Sequence, residues 1–354
     1  MKKHNFSAGP SILPQPVIHQ SAQAILDFEN MGLSIMEISH RDKKFVAVME
    51  QARSLAIELL GLEGKGYQAL FLQGGASMQF LSVAYNLLEK RAVYADTGTW
   101  SANAIKEARF LGDIDIISSS KDQNYNYIPK DIVVPQDADY FHFTSNNTIF
   151  GTQFKEVPSS EIPVVCDMSS DIFSREIDYS KIDLIYAGAQ KNMGPAGTTL
   201  VVVKESILGK VSRAIPNILN YQSHIAKESM YHTPAVFAVY VSLLTMEWLK
   251  QLGGVAAIEK INKEKASLLY HEIDRNPLFK GFAATEDRSL MNATFNLTNE
   301  GQKDIFDTLW KEAGISGLNG HRSVGGYRAS IYNAMPLESV KVLVDVMKEF
   351  ERKA

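Results

Sequence analysis

The feature that most constrains this chain of 354 residues is a series of short apolar runs, each closed by small or polar residues. They are Tyr67–Leu72, Arg91–Asp96, Ile114–Ile117, Tyr140–Thr144, Ile162–Asp167, Asp183–Ala187 and Thr199–Val203. Runs this short, rich in β-branched and aromatic residues and bounded by turn formers, read as strands. Helical patterns follow the first two, at Met78–Leu88 and Ala102–Leu111. Strands alternating with helices imply an open α/β sheet, in which ligands gather beyond the carboxyl ends of the strands. The residues that close each run are therefore where chemistry is expected.

One closing stretch carries a lysine. Asp183–Ala187 runs into Gly188-Ala189-Gln190-Lys191-Asn192-Met193-Gly194-Pro195-Ala196-Gly197, and Thr199–Val203 follows. This reads as strand, tight turn, strand, with Lys191 at the turn. A flat ligand can come close to a lysine ringed by small residues, and burial lowers its pKa, as a Schiff-base lysine requires. A solvated turn lysine has the same local sequence, so the reading needs partners elsewhere. Asp167 is one: it closes an apolar run 24 residues before Lys191, about one strand-connection-strand unit. A carboxylate there is costly unless paired, and adjacent strands would bring it to the edge that carries Lys191. Cys166 beside it is expected to pack as a small hydrophobe.

Other run ends supply different groups. Gln73-Gly74-Gly75-Ala76-Ser77 joins a strand to a helix start, which makes either a phosphate cradle or a plain tight turn. It matches neither the dinucleotide nor the Walker pattern. Trp100 lies just past Asp96, and Ser145–Gly151 is a polar turn past Thr144. Earlier, Asn5–Pro16 reads as an extended lead-in and Val17–Asn30 as a helix. In Met36–Asp42, Ser39 is the expected N-cap of a helix Lys43–Leu60, which places Arg41 against the dipole unless an anion sits nearby. Residues 207–231 look loop-rich, and Thr233-Pro234 looks like the cap of a helix Ala235–Leu252, a second place to hold an anion. A helix Val255–Asn276, a strand Met291–Leu297 and helices Gly301–Ala313 and Pro336–Arg352 follow. Within Gly317–Ser330, His321, Arg322 and Arg328 are bracketed by glycines, a fork for carboxylate or phosphate.

Several function classes are disfavoured. A net charge of −4 gives no sign of a nucleic-acid partner, and no apolar run reaches a membrane span. A single cysteine excludes an internal disulfide and fits a reducing compartment. The basic start Met1-Lys2-Lys3 has no apolar region behind it, so no secretory signal is expected. There is no cluster of His and Cys ligands for a metal and no G-x-S-x-G elbow. Pyridoxal phosphate, by contrast, uses every part: a lysine for its aldehyde, a carboxylate for its ring nitrogen, an aromatic for its face, a helix start for its phosphate, and arginines for acidic substrates.

With these parts in order, the chain resembles the phosphoserine aminotransferases, class V members of the fold-type I pyridoxal-phosphate enzymes. Three segments carry the resemblance most specifically: Met36–Arg41, Ala187–Gly197 and Gly320–Pro336. It implies a large domain with a mostly parallel seven-stranded sheet and helices on both faces, and a smaller α+β domain. The expected boundaries are 1–16 for the extended segment, 17–255 for the cofactor-binding domain and 256–354 for the small domain. It also implies that Lys191 carries the cofactor as a Schiff base and moves the substrate proton, and that Asp167 binds the ring nitrogen. Trp100 would stack on the ring and Thr148 would bond its phenolic oxygen. Ala76, Ser77 and Gln190 would take the phosphate, joined by His232 and Thr233 from a second subunit, so a cytoplasmic homodimer is expected. Arg41 and Arg328 would bind the substrate's carboxylate and side-chain anion. His321 and Arg322 would grip its phosphate, across the dimer interface. The implied reaction exchanges an amino group between phosphoserine and 2-oxoglutarate, giving 3-phosphohydroxypyruvate and glutamate. Phosphohydroxythreonine is a further substrate where pyridoxine is made that way. Some members have arginine in place of Ser77 and asparagine in place of His232. An alanine–glyoxylate aminotransferase is the alternative, and it would not need the His321–Arg322 pair.

Overall fold

The computed structural model describes residues 3–353. Its centre is a seven-stranded sheet of β1 (Tyr67–Leu72), β2 (Arg91–Asp96), β3 (Asp113–Ser119), β4 (Phe141–Thr144), β5 (Val164–Asp167), β6 (Leu184–Gly188) and β7 (Thr199–Lys204). The spatial order is β1-β7-β6-β5-β4-β2-β3. Only β7 runs against its neighbours, and the other pairs are parallel. Strands β4, β5 and β6 are buried throughout, which is why their sequences are continuous apolar runs instead of alternating ones. One sheet face packs Phe71, Phe141, Cys166, Ile185 and Val202 against α2 (Lys43–Leu59) and α6 (Val236–Gln251). The other packs Leu70, Tyr94, Val165, Tyr186 and Val201 against α3 (Gly75–Leu87) and α4 (Thr99–Ala108). This two-sided cover is the fold-type I arrangement. Register sets Thr144, Asp167 and Tyr186 side by side at one edge.

After α6, the helix α7 (Gly254–Arg275) leads to a second core. There β8 (Phe279–Gly281), β9 (Asn292–Leu297) and β10 (Tyr327–Ser330) form an antiparallel sheet covered by α7, α8 (Lys303–Glu312) and α9 (Leu337–Lys353). Phe279, Phe306 and Phe350 meet there with ring centroids 5.2–5.7 Å apart. Each such buried aromatic contributes about 1.5–3 kcal/mol by removal from water. The seam between the two cores is polar instead. Asn146 Nδ2 donates to Asn292 Oδ1 (2.8 Å), and the Asn333 amide donates to Asn192 Oδ1 (2.9 Å). Within the small domain, Lys265 Nζ donates to the carbonyls of Ile331 (3.0 Å) and Tyr332 (2.6 Å).

Local details depart from the sequence reading. Helix α1 is Gln15–Leu26 and does not reach Asn30, because Asp27 turns to extended backbone and Glu29 and Asn30 beyond it are left-handed, with φ of 49° and 57°. The cap of α2 is Asp42, whose carboxylate accepts the Lys44 amide at 2.8 Å. Ser39 instead accepts the Arg41 amide at 3.2 Å, one turn too early to cap the helix. Thr233 caps nothing: α6 begins at Val236, and the Thr233 carbonyl accepts from Gln73 Nε2 at 3.1 Å. A short helix α5 (Tyr221–Ile225) stands within the expected loop. The lead-in is not free either. His4–Asn5 pairs in parallel with Ile315–Ser316, and the Tyr332 hydroxyl donates to Ala8 O at 2.7 Å.

Candidate active site

The ends of β4, β5 and β6 define the site. Lys191 lies in the turn after β6, which is closed by Gly194 N donating to Ala189 O (2.8 Å) and Ala189 N donating to Thr198 O (3.1 Å). From the neighbouring strand ends come Thr148 and Asp167. Lys191 Nζ donates to Thr148 Oγ1 at 3.0 Å and sits 5.4 Å from the centre of the Trp100 ring. Burial pushes the amine below its ordinary pKa; Asp167 opposes that shift and Arg328 adds to it. A lysine so placed is readily neutral, hence nucleophilic and basic.

Asp167 is 4 % exposed. Burial pushes its carboxyl up, while Lys191 and Ser169 pull it down. The Ser169 amide donates to one carboxylate oxygen at 2.9 Å. A buried carboxylate at a strand end, next to a lysine, suits a protonated ring nitrogen.

The phosphate cradle begins at the helix itself. Helix α3 starts at Gly75, three residues before the expected Met78, with Gly74 as its N-cap. Gly74 has φ of +97°, and a Cβ there would lie 2.5 Å from Met78 Cβ, so no side chain fits. The first-turn amides of Ala76 and Ser77 thus stand at the positive end of a 13-residue helix. Helix α4 also starts early, at Thr99, which puts Trp100 in its first turn. Ser101 Oγ accepts the amides of Thr97 (2.9 Å) and Gly98 (3.0 Å) and fixes that turn. Trp100 Nε1, His232 Nδ1 and Arg328 Nε are buried without a protein hydrogen-bond partner. Unpartnered polar atoms of this kind fit a polar ligand. The donor set therefore matches pyridoxal phosphate: an amine, a carboxylate, a flat indole and a helix start.

The substrate side is more open. Arg328, on β10, reaches across the seam, with Nη1 3.5 Å from the Thr148 carbonyl. Burial lowers its pKa. His321 is pushed down by burial and by the like charges of Arg328 and Arg322. Arg328 and Arg322 thus lie close enough for His321 to feel their charge. Arg322 and Arg41 are exposed. No contact between Arg41 and the lysine turn is seen among the described residues. His232 stacks edge-on to His224 at 5.6 Å, and Thr233 contacts Gln73 beside the cradle.

Sequence reasoning missed two groups. Ser11 donates through its hydroxyl to the Lys191 carbonyl, and its amide donates to Gln190 O at 3.0 Å. Its signal was the proline-rich segment itself, which must pack on something to be ordered. Ser169 is the other; it follows Asp167 by two residues, the spacing of a side chain that turns back on its own strand end.

Comparison with known proteins places these residues in a family. The family model for aminotransferase class-V matches residues 3–343. A protein of Flavobacterium johnsoniae named phosphoserine aminotransferase is 70 % identical over the whole of both chains. A solved phosphoserine aminotransferase, described for radiation damage of its Schiff base, superposes with a TM-score of 0.96 at 44 % identity, covering 100 % of this chain and 99 % of its own. The phosphoserine aminotransferase of Trichomonas vaginalis, solved with PLP bound, has a TM-score of 0.92 at 33 % identity, over 98 % of this chain and 100 % of its own.

Proposed function

The chain belongs to the class-V aminotransferases and catalyses phosphoserine transamination, a step of serine biosynthesis; we propose that it does so with 2-oxoglutarate as the amino acceptor and Lys191 as the carrier of its cofactor. The observation that carries this reading is the meeting of Lys191 Nζ, Thr148 Oγ1 and Asp167 at three adjacent strand ends. Pyridoxal phosphate, when bound, supplies the electron sink that makes the substrate Cα proton acidic.

The chain's own residues do the rest. Lys191 Nζ, whose pKa burial lowers, would move the proton between the substrate Cα and the cofactor's C4′. Asp167, as an anion, holds a proton on the ring nitrogen. Thr148 orients the phenolic oxygen, and Trp100 covers the ring face and excludes water. Ala76, Ser77 and Gln190 bind the cofactor phosphate, assisted by His232 and Thr233 of a second copy in a homodimer. Arg41 and Arg328 hold the substrate's carboxylate and side-chain anion, while His321 and Arg322 hold the substrate phosphate. Phosphohydroxythreonine offers the same phosphate and carboxylate, so the same site serves pyridoxine synthesis where that route exists. Residues 17–255 act as the cofactor-binding domain and 256–354 as the small domain. No helix among the described residues is long and apolar enough to cross a membrane, and a cytoplasmic location is part of the proposal.

Turnover of phosphoserine compared with serine and alanine tests the substrate reading. A strong preference for phosphoserine is expected. Equal rates would favour an alanine–glyoxylate type of enzyme and overturn the role of His321 and Arg322.

A further inference from the structure

We propose that Ser169 is a positioning residue for the cofactor nitrogen: its hydroxyl ties the end of β5 to the end of β6 and keeps the Asp167 carboxylate aimed as an anion. This rests on the reading of the site as a pyridoxal-phosphate site.

Ser169 is 4 % exposed, so water does not compete for its hydroxyl. The Gly188 amide donates to Ser169 Oγ at 3.1 Å. An oxygen that accepts an N–H keeps its own proton free to donate, and the Ser169 hydroxyl favours the charged form of the Asp167 carboxylate. The Ser169 amide donates to Asp167 Oδ1 at 2.9 Å as well. Both groups of one residue thus oppose the rise that burial imposes on the carboxyl. Hydrogen bonds to a charged acceptor in a dry site are the strong ones.

The same oxygen fixes a distance. Gly188 ends β6, and Lys191 lies three residues beyond it. Asp167 ends β5. The serine therefore spans the gap between the strand that offers the carboxylate and the turn that offers the amine. A Cβ at Gly188 would lie 2.8 Å from Gln190 Oε1, so any side chain there would displace the Gln190 amide. The next residue shows that this is not a general habit of the turn. Ser170 Oγ donates to Asn146 O at 3.0 Å and accepts from Asn146 Nδ2 at 2.8 Å, facing the seam and not the site.

Two probes separate a role at the ring nitrogen from a general one. Pyridoxine 5′-phosphate has no aldehyde, so its affinity for the full-length apoenzyme does not depend on bonding to Lys191. Its 1-deaza analogue has carbon in place of the ring nitrogen. Affinities are read by quenching of tryptophan fluorescence. Ser169→Ala is expected to weaken pyridoxine 5′-phosphate about tenfold or more, the range for a hydrogen bond to a charged group, and to leave the deaza analogue within about twofold. Ser169→Thr, which keeps the hydroxyl, restores the difference. Equal weakening of both probes, or none, would overturn the proposal. Failure of the unsubstituted chain to bind either probe would instead reject the cofactor reading itself. If Ser169→Ala does not fold, Ser169→Cys keeps the shape, weakens the donor and gives the same comparison.

Discussion

Lys191 and Arg322 are both basic side chains at turns, but the protein treats them differently. Lys191 has a hydrogen-bond acceptor at 3.0 Å, an indole ring at 5.4 Å and the charge of Asp167, all from its own chain. Arg322 lies exposed on a glycine-bracketed turn, where the charged groups felt by His321 are two arginines. The first arrangement is finished before any ligand arrives, and only a group that fits its geometry gains from it. The second is an excess of positive charge that an anion completes. Cofactor chemistry needs fixed distances, whereas a phosphate is recognised mostly by charge and tolerates an open site.

The harshest way to break this contrast is Lys191→Ala. Turnover should fall by a factor of roughly a thousand or more, beyond the loss expected from one proton-transfer group, because attachment is lost too. Absorbance near 410–420 nm, roughly where a lysine–pyridoxal imine absorbs, should vanish while the melting temperature stays close to that of the unsubstituted chain. Retained absorbance would show that another amine carries the cofactor. Removing the opposite end, with His321→Ala and Arg322→Ala together, should raise KM for phosphoserine about 10- to 100-fold. The visible spectrum and KM for glutamate should remain unchanged. A changed spectrum would mean that the two ends are not separable.

Mixing sharpens the comparison further. If His232 and Thr233 serve the partner's site, Lys191→Ala protomers mixed with His232→Ala/Thr233→Ala protomers should regain about a quarter of full activity. Half of random dimers are mixed, and each has one intact site. No recovery would place His232 and Thr233 in their own protomer's site. The smallest effect concerns the floor beneath the lysine end, where His142 stacks on Tyr94 at 4.7 Å and pairs with the Tyr186 hydroxyl at 2.8 Å. Burial pushes His142 down from 6.5 to about 3. Its folded pKa is depressed, so the unfolded chain binds the extra proton. Stability is therefore complete above about pH 6.5 and falls as pH drops towards 3, by at most about 1.4 kcal/mol per pH unit. His142→Gln should flatten that acid limb in urea titrations, and an equally steep limb would show that other groups cause it.

How far the sequence reaches follows the same division. The sheet was legible because β4, β5 and β6 are buried on both faces and must be apolar throughout. Lys191 and Asp167 stood out because each ends such a run. Helix starts were less legible: Gly75 and Thr99 lie inside helices although their residue types suggest turns, since the close approach of backbone at Gly74 and the Ser101 cap outweigh propensity. The seam was not legible at all. Asn146 pairs with Asn292 and Asn192 with Asn333, each from distant segments, and nothing in the neighbours of any one of them announces its partner.

The pairing of His4–Asn5 with Ile315–Ser316 ties the leading segment to the small domain. Ser11, which donates to the Lys191 carbonyl, lies six residues beyond that pairing, so one short strap touches both the small domain and the backbone that carries the reactive amine.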